Sequence, residues 1–247
     1  MVPAEILTRK TRQDGRPIRL LPPMAEFVGF ALLFAAAVLM LTVVLPGRGA
    51  VVGALALLTY GVAVALAGRG LHRHYPHARL GLCNLVTLAR LALVSALVAP
   101  LAAGAGASWP VFAVAAVALS LDGVDGWLAR RQGLVSDFGA RFDMEVDSAL
   151  ALVLALNAAA AAGPAALLLG LPRYLFGAAA WGLPWMRRDL PVRFSRKAVC
   201  VVQLAVLIAL QAPVLPDRLG VVLVPAVAAA LAWSFAIDLR WLWRQRT

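Results

Sequence analysis

The chain has 247 residues, of which 62% are hydrophobic and only 14% charged, and its formal net charge is +11. So apolar a composition lies outside the range of soluble domains and places the chain in a bilayer. The positive charge reads as a topology signal, with attraction to anionic headgroups, and not as the footprint of a nucleic-acid partner; none is expected.

In chain order, residues 1–24 read as a basic cytoplasmic tail holding Arg9, Lys10, Arg12, Arg16 and Arg19. Apolar runs near the roughly 20 residues needed to cross a bilayer follow at about 25–46, 50–68, 82–103, 108–129, 142–162, 165–186, 197–213 and 219–239. The sequence therefore predicts an all-α polytopic membrane protein with eight candidate spans. Turn and stop residues separate them: Pro46 and Gly47, Gly104 to Ser108, Gly163 and Pro164, Pro213 to Pro216. The first run is longer than the core of a cleaved signal and leads into a second, so it reads as retained.

Basic residues precede the first run and follow the second (Arg69, Arg73, Arg79), the fourth (Arg130, Arg131, Arg141), the sixth (Arg187, Arg188, Arg193, Arg196, Lys197) and the eighth (Arg240, Arg244, Arg246). The opposite connections hold only Arg48 and Arg218. Both termini are therefore expected in the cytoplasm, with the chain in the inner or plasma membrane if the source is bacterial. Trp109, Trp127, Trp181, Trp185, Trp241 and Trp243 fall near the ends of predicted spans, where indole rings favour the interface. The two cysteines, Cys83 and Cys200, lie near cytoplasmic helix ends, where a disulfide is not expected. His72, His74 and His77 read as an interfacial patch, because no neighbouring carboxylate completes a metal-ligand set.

Charge returns at the join of the fourth and fifth runs, in "SLDGVDGWLARRQGLVSDFGARFDMEVDSAL". Asp122 and Asp125 are three apart, Asp143 and Asp147 four apart, so each pair shares one helical face. Antiparallel neighbours with a short connection would point the two faces at each other and gather four carboxylates. Such a cluster repels itself unless cations sit within it. An all-oxygen donor set suits Mg²⁺, Mn²⁺ or Ca²⁺, and two ions about 4 Å apart serve attack on phosphorus by an oxygen nucleophile. Gly123, Gly126, Ala129 and Gly139 leave room for a bulky ligand, and Arg130 can pair with phosphate oxygens. Glu145 lies about 200° around the helix from Asp143 and points away from the site.

The pattern Asp122-x-x-Asp125-Gly126-x-x-Ala129-Arg130, eight residues, Gly139, three residues, Asp143, three residues, Asp147 resembles the signature of the CDP-alcohol phosphotransferase family at every fixed position. The resemblance implies a six-helix catalytic domain over 80–247, preceded by two additional transmembrane helices within 25–70. It implies two metal ions, Mg²⁺ or Mn²⁺, on Asp122, Asp125 and Asp143, with Asp147 as general base that also touches a metal. Gly126, Ala129, Arg130 and Gly139 would line the CDP site, and family members typically form homodimers. Asn84, Thr87 and Arg90 in "CNLVTLARLAL" match the pattern of the first core helix, which sets Asn84 and Thr87 beside the CDP diphosphate. Arg90, in a membrane helix, needs a partner.

"SRKAVCVVQ" is similar to a segment of the phosphatidylglycerophosphate synthase and CMP-forming cardiolipin synthase branch: Lys197 and Gln203 keep its spacing, while Val199 and Cys200 replace its polar pair. The expected function is transfer of a phosphatidyl group from CDP-diacylglycerol, or a related CDP-alcohol, to an acceptor alcohol at the cytoplasmic surface, releasing CMP. Positive charge at Arg173, Arg196 and Lys197 suggests an acceptor that brings a phosphate, such as a phosphorylated polyol or phosphatidylglycerol. A cation- or proton-coupled transporter would need polar residues along several helices, and a membrane prenyltransferase a second Asp-rich motif; the chain offers neither.

Overall fold

The computed structural model describes residues 23–246 apart from 189 and 192. Of the expected tail, residues 1–22 lie outside the described residues, and Pro23 and Met24 already belong to the first helix. Among the described residues the fold is all-α.

Helices α1 (Pro23–Val44) and α2 (Ala50–His74) form a hairpin turned at Pro46 and Gly47. The next element is α3 (Gly81–Ala96), continued after a break by the short α4 (Val98–Ala102). The break has a local cause: Pro100 has no N–H to give to Ala96, so the ladder is interrupted there. Two long helices follow, α5 (Trp109–Gln132) and α6 (Asp137–Ala162). Ser136 caps α6, its hydroxyl accepting from Gly139 N at 3.1 Å. Gly133 ends α5 in the left-handed conformation, φ 66°, which a side chain would oppose.

The expected sixth span, 165–186, is not one helix. It is broken into a 3₁₀ turn at Pro164–Ala166, α7 (Leu167–Gly170), α8 (Pro172–Gly182) and a second 3₁₀ turn at Pro184–Arg187. A proline opens three of these pieces, and each proline withholds an N–H from the preceding turn. The seventh, α9 (Phe194–Ala209), has 16 residues, short of the full span expected at 197–213. The last, α10 (Asp217–Arg244), has 28. Among the described residues, five helical stretches are fit by length and composition to cross a membrane: Pro23–Val44, Ala50–His74, Gly81–Ala102, Trp109–Gln132 and Arg218–Arg244. The expected sixth span was a set of pieces that hydropathy alone runs together across prolines.

The core is built around α3. It packs against α1, α2, α5 and α6, and ten of its 16 residues are buried. By contrast α1 and α2 present Leu32, Leu33, Met40, Val44 and Val51 outward, each at least 60% exposed. Such surface is unfavourable in water and natural against lipid tails. Where α2 and α1 meet, Tyr60 donates to Ala31 O at 3.1 Å, satisfying a hydroxyl that is otherwise buried. A second buried polar contact ties α6 to the turn that follows α9: Asn157 Nδ2 donates to Gln211 Oε1 at 2.6 Å, and Gln211 Nε2 donates to Leu154 O and Leu207 O. Cys83 is buried and Cys200 exposed, and both are free thiols.

Candidate functional site

The four aspartates do converge, though not by direct packing of α5 on α6. These two helices touch little, and α3 packs against both. The expectation that the two acidic faces meet directly is corrected here: a third helix supplies the surface on which they meet.

That surface is Arg90. Its side chain is fully buried, yet its Nη1 lies 3.0 Å from Asp122 Oδ1 and 2.9 Å from Asp125 Oδ2. The same nitrogen also pairs with Asp143 Oδ1, and Nη2 pairs with Asp147 Oδ1. The remaining donor, Nε, bonds Ala118 O at 3.0 Å. Thr87 Oγ1 donates to Asp125 Oδ2 at 2.9 Å. A buried guanidinium is tolerated only when its donors are satisfied by charge or carbonyl, and these contacts do so.

The cluster is closed on one side and open on the other. The Asp125 side chain is only 6% exposed, whereas those of Asp122, Asp143 and Asp147 are 33%, 35% and 32% exposed. Oxygens of these last three lie within 4.8 Å of one another, close enough to share a metal ion. Asp125 sits deeper, and both of its bonds fall on one oxygen, Oδ2. Four carboxylates against one guanidinium leave three formal negative charges. That imbalance, carried by oxygen donors alone, fits Mg²⁺ or Mn²⁺ and does not fit a soft metal.

Beside the cluster there is space. A Cβ on Gly123 would meet nothing within 4 Å, and one on Gly126 would meet only Arg130 Nη1 at 3.6 Å. Ala129 is half-buried and Arg130 exposed on the last turn of α5. Gly139 sits against α3, where a Cβ would come within 3.4 Å of Asn84 Oδ1. Asn84 is buried, its Nδ2 donating to Leu80 O at 2.6 Å and to the Tyr75 hydroxyl at 3.1 Å. Asn84, Thr87, Gly126, Arg130 and Gly139 thus lie around the aspartates on three different helices.

The other basic residues separate into two places. Arg173, at the start of α8, pairs with Glu145 at 2.9 Å. Glu145 faces away from the acidic cluster, as its position on the helix requires, so the structure does not bring Arg173 to the aspartates. The two line a cavity of about 300 Å³ with Tyr174 and Trp181. Arg196 does join a charged cluster, with a partner on another helix. Arg193 Nη1 and Arg196 Nη1 lie 2.8 and 3.4 Å from the two oxygens of Asp238, a buried residue of α10. Lys197 is exposed on the next position of α9.

Sequence reasoning therefore did not foresee how two members of the charged architecture are paired. Arg90 was known to need a partner, but not that four carboxylates share it. Asp238 had the same signal, an acid inside a long apolar helix, which rarely persists without a cation against it.

A sequence model of the CDP-alcohol phosphatidyltransferase family matches residues 80–237. The match covers α3 to most of α10 and begins after α1 and α2. No curated protein and no solved structure matches the chain. The chain belongs to the CDP-alcohol phosphatidyltransferase family.

Proposed function

We propose that this membrane protein moves a phosphatidyl group from CDP-diacylglycerol, or a related CDP-alcohol, to an acceptor alcohol and releases CMP. The observation that carries this reading is the meeting of Asp122, Asp125, Asp143 and Asp147 on Arg90, with an excess of negative charge at an open mouth. In this reading α3 to α10 form the catalytic domain, α1 and α2 are an addition to it, and the site lies at the cytoplasmic surface. The basic loops of the sequence support that orientation. The family likeness supports a homodimer.

Asp122, Asp125 and Asp143 would hold the metal ions, with Asp147 at their edge. When bound, Mg²⁺ or Mn²⁺ supplies neutralisation of the diphosphate and stabilises CMP as a leaving group. The protein's own residues do the rest. Arg130, beside the open space at Gly123 and Gly126, pairs with a phosphate of the CDP-alcohol. Asn84, Thr87, Ala129 and Gly139 shape the rest of that pocket. Arg90 holds the four carboxylates in one orientation before substrate arrives, so little reorganisation is needed later. Asp147 accepts the proton of the acceptor hydroxyl as that oxygen attacks the phosphorus bearing the lipid alcohol. The bond from this phosphorus to the oxygen of the CMP phosphate breaks, and CMP departs with the electron pair.

The acceptor side of the reading rests on Arg193, Arg196 and Lys197. Two guanidiniums share one carboxylate, and Lys197, the next residue after Arg196, is exposed, so this segment has positive charge left over. It would hold the phosphate of a phosphorylated polyol or of phosphatidylglycerol. The Lys197 and Gln203 spacing supports the phosphatidylglycerophosphate synthase or cardiolipin synthase branch. Gln203, however, already donates to Leu169 O. Arg173, held by Glu145, has no part in this reading.

The test is direct. Purified protein given labelled CDP-diacylglycerol, Mg²⁺ or Mn²⁺ and a panel of acceptors should release CMP with one acceptor, and that acceptor should carry a phosphate. Release with an uncharged alcohol alone would remove the acceptor assignment, and no release with any CDP-alcohol would remove the function.

A further inference from the structure

Residues 75–79, in the link that joins α2 to α3, lie just ahead of the segment that the family match covers. Even so, they touch the site from behind. The Tyr75 hydroxyl lies 2.7 Å from Arg79 O and 2.8 Å from Leu80 O, and it accepts from Asn84 Nδ2 at 3.1 Å. Burial pushes the Tyr75 phenol up to about 12, so the hydroxyl remains a donor to those carbonyls at any ordinary pH. On its other side the ring meets Phe138 edge to face, with centroids 5.7 Å apart. Phe138 in turn stacks on Phe142, the residue before Asp143, at 5.7 Å.

Neighbouring contacts tighten the same joint. Glu26 on α1 accepts from Leu80 N at 3.0 Å, at the start of α3. His77 Nε2 lies 3.2 Å from Val135 O, in the connection between α5 and α6. On α2, Gly70 allows close approach, since a Cβ there would come within 3.3 Å of the Phe138 ring. The helices outside the family match are therefore fastened to the first turn of both α3 and α6. These are the turns whose Asn84 and Gly139 face each other.

We infer that Tyr75 is a positioning residue for the CDP-alcohol site, its hydroxyl fixing Asn84 and its ring fixing Phe138, so that α2 sets how the start of α6 stands against α3. This rests on the function proposed above, which gives Asn84 and Gly139 to the CDP-alcohol. Without the hydroxyl, Asn84 keeps only its bond to Leu80 O and its carbonyl is free to turn from Gly139. Without the ring, Phe138 loses the face that holds it, and the turn carrying Phe142 and Asp143 loosens.

The experiment uses full-length Tyr75→Phe and Tyr75→Ala, with two readouts: steady-state CMP release and amide hydrogen exchange. Tyr75→Phe should raise the KM for the CDP-alcohol about 3- to 10-fold, the range that one hydrogen bond's net contribution spans, and leave the acceptor KM unchanged. Tyr75→Ala should raise it further and speed exchange of residues 137–143 while exchange of α10 stays as in the wild type. If both variants keep the wild-type KM and exchange, the inference is overturned. Uniformly faster exchange, α10 included, overturns it too, since that is general loss of stability. If the wild type releases no CMP while Tyr75→Ala still loosens 137–143 alone, the proposed function falls and the coupling of α2 to α6 stands.

Discussion

Two charged clusters interrupt this apolar chain, and they are unbalanced in opposite directions. Around Arg90 four carboxylates share one guanidinium; around Asp238 two guanidiniums share one carboxylate. The buried amide pair of Asn157 and Gln211 shows what a balanced contact looks like here: its donors and acceptors meet one another and backbone carbonyls. Charges taken from water without full compensation are unfavourable, so each imbalance points to a partner of the missing sign. The acidic cluster could hold a cation. Helix α9 packs against both α6, which carries Asp147, and α10, which carries Asp238.

The contrast can be broken most severely at the acidic end. Asp122→Asn, Asp125→Asn and Asp143→Asn should each abolish CMP release and weaken Mn²⁺ binding followed by calorimetry, because each removes a charge from a shared donor set. Ordinary turnover by any of the three would falsify the metal assignment. Arg90→Met comes next. Removing the one cation that four carboxylates share should destabilise the protein by about 3–5 kcal/mol, read from thermal melting. Added Mg²⁺ should restore more of the melting temperature in this variant than in the wild type. An equal Mg²⁺ response in both proteins would mean that ion and guanidinium do not answer the same charge.

Within the acidic cluster, Asp147 sharpens the division between holding and reacting. Asp147→Asn should lower kcat by at least ~10²-fold, the usual contribution of a positioned base, while CDP-alcohol binding persists. Loss of binding as complete as in Asp122→Asn would make Asp147 a metal ligand above all. The smallest effect is expected at the basic end. Arg196→Ala or Lys197→Ala should raise the acceptor KM about tenfold or more, the contribution of a charge-assisted hydrogen bond, with the CDP-alcohol KM little changed. Unchanged acceptor KM in both variants would leave the basic patch as a topology signal only.

Much of the site was legible because it depends on local periodicity. Spacings of three and four residues put Asp122 with Asp125 and Asp143 with Asp147 on shared helical faces, and the same geometry turned Glu145 away, where it meets Arg173. The sequence reading set no marker at Gly133, where α5 ends, or at Ser136, which caps α6. The spans were less legible. Hydropathy sums over a window and does not register that Pro172 and Pro184 interrupt a backbone ladder, so 165–186 read as one span and folds as several pieces.

The sequence by itself determined a membrane chain, helical throughout its described residues, with four acids gathered near one membrane depth, since composition and helical periodicity are properties of neighbours along the chain. Only the tertiary structure decided that α3 stands between α5 and α6, that Arg90 joins all four aspartates, that Asp238 holds Arg193 and Arg196, and that Tyr75 reaches Asn84 and Phe138. Each of these pairings joins residues far apart in sequence. Their choice follows from which helices pack and which buried charge then lacks a partner, and no local pattern records that.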